Sequence, residues 1–389
     1  MQMSLAGLTP SSDVSLSLKA LQSLLDPHEA PRRAAAQNPV NLSPALINAI
    51  TREAGARMES FVRGIKTYQA HPYRRTLSAP PPVWRCGAAT LHSYGGPEDG
   101  VPVLAVPSLV NRAYILDLAE DRSFMRAAAA AGFRPFLLDW GDPTAAERAF
   151  TVEDYIEGVL VPALEEIKSR TGQIPRLVGY CLGGVLSAAP AVLRPDLVSA
   201  LVLLAVPWDF QEGTEASRAL INFSRTPIEI AMQAEGVISV DLLQAMFASL
   251  DPTLVGRKFR KFAALDPRSD HARHFVELED WLNDGVPLAA PVAQEILFKW
   301  YGTNDPIQGR WKVGEAVVDP RRISCPTLAL IPLRDRIVPP ESARRLARLI
   351  PGAAAREMEY GHISMVAAGS APKNVYEPVL AWLKDPPKP

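Results

Sequence analysis

The sequence predicts an α/β protein: a mostly parallel central sheet, covered by helices on both faces and carrying one large helical insertion. Three observations lead there. From residue 85 onward, short apolar runs alternate with helically spaced patterns, the texture of repeating strand–helix units. The apolar runs are near-continuous rather than alternating, as strands buried on both faces require. The alternation stops at about residue 207, gives way to helical patterns, and resumes after about residue 322.

The elements follow in order. Residues 1–80 read as an N-terminal helical extension. Leu16, Leu18, Leu21, Leu24 and Leu25 have helical spacing, residues 44–70 repeat it, and Pro80, Pro81 and Pro82 close the segment. Residues 81–389 form the core. Residues 101–106 are a buried strand ended by Pro107, 116–131 a helix closed by Gly132, and 134–140 the next strand. The helix over 151–170 opens on Thr151 and Asp154 in capping-box spacing, and Pro162 inside it predicts a kink. A strand at 176–180, a helix at 182–193 and a strand at 200–206 complete the first part. Beyond an insertion at about 207–322, strands at 327–332 and 355–360 alternate with helices at 341–350 and 374–383.

Composition narrows the function. The 389 residues are 48% apolar and 21% charged, which excludes a wholly disordered or fibrous chain. Forty-one basic against 42 acidic residues leave a net charge of −1 and no electrostatic footprint for nucleic acid. The longest apolar stretch, residues 197–208, falls short of the roughly 20 residues of a transmembrane segment, and residues 1–8 lack the basic start of a signal peptide. Three cysteines make no disulfide framework and fit a reducing cytoplasm. Proline is in excess, at 36 residues, which predicts many breaks at strand ends.

One of the three cysteines stands in a special frame. Gly179-Tyr180-Cys181-Leu182-Gly183-Gly184 follows a strand and opens a helix, the G-x-nucleophile-x-G elbow with Cys in place of Ser. A Cβ at Gly179 or Gly183 would obstruct so tight a turn. The helix N-terminus favours a thiolate, and the Leu182 amide points where an oxyanion would form. Cys86 and Cys325 have no glycine frame and read as structural. Elbow enzymes order their triad as nucleophile, acid, histidine. His28, His71 and His92 precede Cys181, while His271 and His274 lie in the insertion and read as a solvated helix face. His362, after the last strand, remains as the base. Asp335, in the loop after the preceding strand, is the acid. Such a triad forms an acyl-cysteine, and a thioester donor would exchange with it at little free-energy change.

These residues resemble the polyhydroxyalkanoate synthases, members of the alpha/beta-hydrolase superfamily, from about residue 101 to 383. The elbow is similar to their Cys-bearing lipase box. Residues 109–118 resemble the segment after their first core strand, which carries the second oxyanion donor, here the Val110 amide. Asp139-Trp140-Gly141-Asp142-Pro143 and residues 280–287 (Asp280-Trp281-Leu282-Asn283-Asp284-Gly285-Val286-Pro287) look most like the class III branch, whose short catalytic chain works with a second, non-catalytic subunit. The resemblance implies an alpha/beta-hydrolase fold with the insertion as a cap. It implies polymerisation of 3-hydroxyacyl-CoA with release of CoA and no cofactor beyond that thioester. It also implies a homodimer in the cytoplasm, associated with polymer granules. Arg336 stands where these enzymes usually have a histidine after the triad aspartate. The residues leave open a thioesterase, esterase or depolymerase on the same triad, and a non-catalytic scaffold with a relic triad.

Overall fold

Eight strands make the central sheet of the computed structural model, which describes residues 43–213 and 225–387. They are β1 (Pro82–Cys86), β2 (Ala89–Ser93), β3 (Pro102–Val106), β4 (Arg134–Asp139), β5 (Arg176–Tyr180), β6 (Ala200–Leu204), β7 (Thr327–Pro332) and β8 (Ala354–Met358). Across the sheet they run β1-β2-β4-β3-β5-β6-β7-β8. β2 is antiparallel to both neighbours. All other pairings are parallel. β3, β6 and β7 are buried along their whole length, which is why their sequences are unbroken apolar runs. β8 ends the sheet and is largely exposed, and Glu357 on it pairs with Arg344 at 2.7 Å. Charge on an edge strand discourages pairing with another chain.

The chain divides into two units between Ser60 and Phe61. The helical pattern expected at residues 16–25 lies outside the described residues. The pattern at 44–70 is helix α1 (Pro44–Gln69).

Two elements differ from expectation. The helix expected over 116–131 is only α2 (Phe124–Ala130). Before it stand a 3-10 turn and a small hairpin, Asp117–Ala119 with Arg122–Ser123. Two polar residues decide this. Ser123 caps α2 by accepting the Arg126 amide at 3.0 Å. Asp117, fully buried, accepts from Tyr94 Oη and Arg126 Nε at 2.9 Å each and is committed away from a helix surface. The second difference concerns Pro162. Thr151 and Asp154 do form the capping box. The helix meets the proline with a π turn at Ile156–Leu160, and α3 (Val161–Thr171) continues with Pro162 at its start. Proline cannot donate to the carbonyl four residues back, that of Gly158, and the Cys86 thiol donates to it at 3.3 Å.

α4 (Leu182–Leu193) follows β5 directly and is almost wholly buried. Between β6 and β7 the described residues form α5 (Arg225–Glu235), α6 (Val240–Leu250), α7 (Leu254–Phe262) and α8 (Asp270–Asn283), then a π turn at Glu295–Trp300. Residues 214–224 of this insertion lie outside the described residues. The basic run on α7 is partly paired: Arg257 meets Asp251 at 3.0 Å and Lys258 meets Glu279 at 2.6 Å. α9 (Pro340–Leu349) and α10 (Glu377–Lys384) complete the helical layers. Among the described residues no helix is long and apolar enough to cross a membrane.

Candidate active site

β3, β5, β7 and β8 are parallel, so the loops leaving them meet at one edge of the sheet, the carboxyl edge where α/β proteins place their sites. The residues singled out in the sequence lie on those four loops.

The turn from β5 into α4 holds Cys181 at φ 53 and ψ −128. This is a backbone region that side chains other than glycine rarely occupy. Its amide bonds the Leu204 carbonyl of β6 at 3.0 Å. Three glycines clear space for the turn. A Cβ on Gly179 would strike the Gly184 backbone, one on Gly183 the carbonyls of Val106 and Pro107, and one on Gly184 the Val206 side chain. Gly183 thereby lets the start of α4 lie against the loop leaving β3. Leu182 is the first residue of α4, where backbone amides have no acceptor within the helix.

Asp335 and His362 are brought together by β7 and β8. His362 Nδ1 lies 2.6 Å from Asp335 Oδ2, with both residues buried, at 8% and 7% exposed. The other carboxylate oxygen, Oδ1, accepts the amides of Ile337 and Val338 at 2.8 and 2.9 Å, which fixes the carboxylate in its loop. Burial acts against a charge on His362. Attraction to Cys181, hydrogen bonds to Asp335 and Cys181 and the charge of Asp335 outweigh it, and the imidazole is pushed up from 6.5 to about 10. Cys181 is itself buried, at 9% exposed.

The second oxyanion donor expected from the sequence, the Val110 amide, is on the β3 loop and has a long 3.5 Å bond to Ser108 Oγ. Two tyrosines were given no role by the sequence. Tyr180 donates to the His362 carbonyl at 3.2 Å, and its ring lies 5.3 Å from the imidazole. The Tyr301 phenol, from the insertion, is raised by burial and by the charges of Cys181 and Asp335. Neither has a sequence signal, since a tyrosine in a strand or helix is an ordinary core residue.

The remaining polar candidates lie elsewhere. Cys86 and Cys325 are free thiols outside the site, with burial pushing the Cys325 thiol up to about 11. His274 is not on a solvated face: it is half-buried, 3.8 Å from Asp121, and burial and then Arg122 lower its pKa. Among the described residues no cluster of three or more His, Cys, Asp or Glu could hold a metal ion.

A doubly covered parallel sheet with an elbow cysteine and a buried Asp–His pair on its carboxyl edge defines an alpha/beta hydrolase-fold protein. The family described as the alpha/beta hydrolase fold matches residues 101–366. The chain is similar in structure to a hydrolase from Pseudomonas aeruginosa, with a TM-score of 0.50 and 18% identity, over 76% of this chain and 94% of that one. Within the fold its relatives are specific. It is 32% identical to the poly(3-hydroxyalkanoate) polymerase subunit PhaC of Allochromatium vinosum, over 76% of this chain and 85% of the relative. The corresponding subunit of Thiocystis violacea is also 32% identical, over 73% and 81%. That of Synechocystis sp. is 30% identical, over 73% and 78%. The chain belongs to the poly(3-hydroxyalkanoate) polymerase family, a family of enzymes.

Proposed function

We propose that this protein is an acyltransferase that polymerises 3-hydroxyacyl-CoA through an acyl-cysteine intermediate, releasing CoA. The observation that carries the reading is the buried 2.6 Å contact of Asp335 with His362 behind the elbow cysteine, in a chain of this family. Cys181 is the nucleophile, His362 the base and Asp335 the residue that orients it. His362 takes the proton of Cys181, and the thiolate attacks the thioester carbonyl. The amides of Leu182 and Val110 take the developing oxyanion. The tetrahedral intermediate expels CoA thiolate, which receives the His362 proton and leaves as the thiol. A 3-hydroxyl group of a chain end or monomer then gives its proton to His362 and attacks the Cys181 thioester. An ester forms and the thiolate–imidazolium pair is restored. Residues 207–322 act as a cap over this chemistry. No cofactor beyond the CoA of the substrate takes part. The partners of this reading are a second copy in a homodimer, a non-catalytic synthase subunit and a polymer granule surface in the cytoplasm.

Incubation with 3-hydroxybutyryl-CoA, following CoA, free acid and insoluble polymer, tests the proposal. CoA release with polymer is the expected result. CoA with stoichiometric free acid would replace the polymerase with a thioesterase on the same triad. Absence of CoA release, also with longer acyl chains, would leave a non-catalytic protein. Full activity in a Cys181→Ala variant would refute the nucleophile.

A further inference from the structure

Two tryptophan-bearing segments, Asp139–Pro143 and Asp280–Pro287, have no part in the chemistry just described, and both close on the same target. That target is the loop leaving β3, residues 107–112, which carries the Val110 amide. On one side, Trp140 Nε1 donates to the Pro107 carbonyl at 3.0 Å. On the other, Trp281 Nε1 donates to the Arg112 carbonyl at 2.9 Å. Between these two anchors the insertion pairs with the loop by backbone. Asn111 and Gly285 form an antiparallel bridge, and the Val286 amide donates to the Val110 carbonyl at 3.4 Å. The Arg112 side chain locks the arrangement, with Nε on Asp284 and Nη2 on Asp142, each at 3.0 Å. Trp140 and Trp281 are buried, at 5% and 2% exposed, so both indole bonds are shielded from water. A glycine is required at 285 because a Cβ there would strike Val240.

We infer that Trp281 and Asp284 of the insertion, with Arg112 of the loop itself, form a positioning device that holds the loop carrying the Val110 amide at the oxyanion site. The inference rests on the reading of Val110 as an oxyanion donor. The logic is geometric. Oxyanion stabilisation depends on donors held in place before charge develops, and an error of about 1 Å costs up to roughly 100-fold in rate. The carbonyl of Val110 and its neighbours Asn111 and Arg112 are all held from the insertion. The direction of the Val110 N–H, aimed by the same short loop, therefore depends on residues 281–286. The Ser108 bond to that amide is long enough to yield to a better acceptor.

The test compares two reactions of one sulfur. Acylation of Cys181 by a p-nitrophenyl ester or a 3-hydroxyacyl thioester builds an oxyanion. Alkylation of Cys181 by iodoacetamide attacks a saturated carbon and builds none. In Trp281→Phe, which keeps an aromatic ring and removes the indole donor, single-turnover acylation should fall roughly 10- to 100-fold with unchanged KM. The alkylation rate should match the parent. Arg112→Lys, which cannot fork between two carboxylates, should give the same split to a smaller degree. A parallel fall in both reactions would mean that the nucleophile or the fold was damaged, and equal acylation in variant and parent would mean that the loop needs no anchor; either result overturns the inference. A parent protein that acylates without making polymer sinks the polymerase reading alone, because the comparison of acylation with alkylation is complete without polymer.

Discussion

Cys181 is held at φ 53, a conformation that costs of order 1–3 kcal/mol and that the surrounding turn must enforce. The enforcement is steric, through Gly179, Gly183 and Gly184. Of these, Gly183 is the one that faces the β3 loop, because an added methyl would meet the backbone carbonyls of Val106 and Pro107. A Gly183→Ala variant should lose about 1–3 kcal/mol of stability, read from its urea midpoint, and acylate far more slowly than that loss explains, since α4 must back away from the β3 loop. Retained acylation would show that the close approach is dispensable. The glycines at 179 and 183 were legible from the elbow spacing. The third, at 184, was not, because its partner Val206 lies on the loop after β6 and only the fold brings it near. Asp335 supports a second prediction. A raised His362 pKa means that the imidazolium persists as pH rises past 6.5 and is lost only toward about 10. On the proposed mechanism, proton delivery to the leaving thiolate is therefore available below that upper value and fails above it. Asp335→Asn removes one of the groups that raise the pKa, so the alkaline limit of acylation should move down toward 6.5, with a rate loss of roughly 10²–10⁴ at the optimum. A limit that stays in place would remove Asp335 from the account.

Secondary elements were legible where one signal dominated. β5 and β7 begin and end at the expected residues because their apolar runs are bounded by polar residues or proline and have no competing pattern. Residues 116–131 carried two signals. The stretch up to Gly132 suggests one continuous helix, but Ser123 is the better N-cap and Asp117 needs buried partners. Local hydrogen bonding won over periodicity, and the chain folds back as a hairpin before α2 begins. The cap then has a measurable weight. Ser123→Ala should destabilise the protein by about 1 kcal/mol in denaturant unfolding, and Ser123→Asp, which restores an acceptor at the same place, should recover part of it. An unchanged midpoint in Ser123→Ala would mean that packing alone fixes the start of α2. Pro162 illustrates the opposite limit. Its conflict with the helix was visible in the sequence, but the remedy was not, because the π turn and the thiol of Cys86 that accompany it come from 72 residues apart in sequence.

For the whole molecule, the alternation of strands and helices implied a parallel sheet, but not its order, since the position of β4 beyond β3 depends on pairings that no local pattern encodes. The same holds for how the insertion is tied to the core. One such tie is an ion pair: Arg122, on the hairpin before α2, pairs with Glu277 of α8, and both side chains are 1% exposed. Removing two such charges from water is costly, and here the compensation is incomplete. Arg122 Nε and Nη1 and Glu277 Oε1 have no hydrogen-bond partner among the described residues, although Arg273 stands 3.6 Å from the last. A buried pair of this kind fixes which surfaces meet more than it stabilises the fold. Arg122→Met alone should therefore cost roughly 3–5 kcal/mol in denaturant unfolding, because it leaves the buried Glu277 carboxylate with only the more distant Arg273 to offset its charge. Arg122→Met combined with Glu277→Leu should return to within about 1 kcal/mol of the parent, because the two desolvation costs disappear together. If the double variant is as unstable as the single one, the ion pair is a net source of stability, and the attachment of α8 to the core depends on charge rather than on the apolar surface around it.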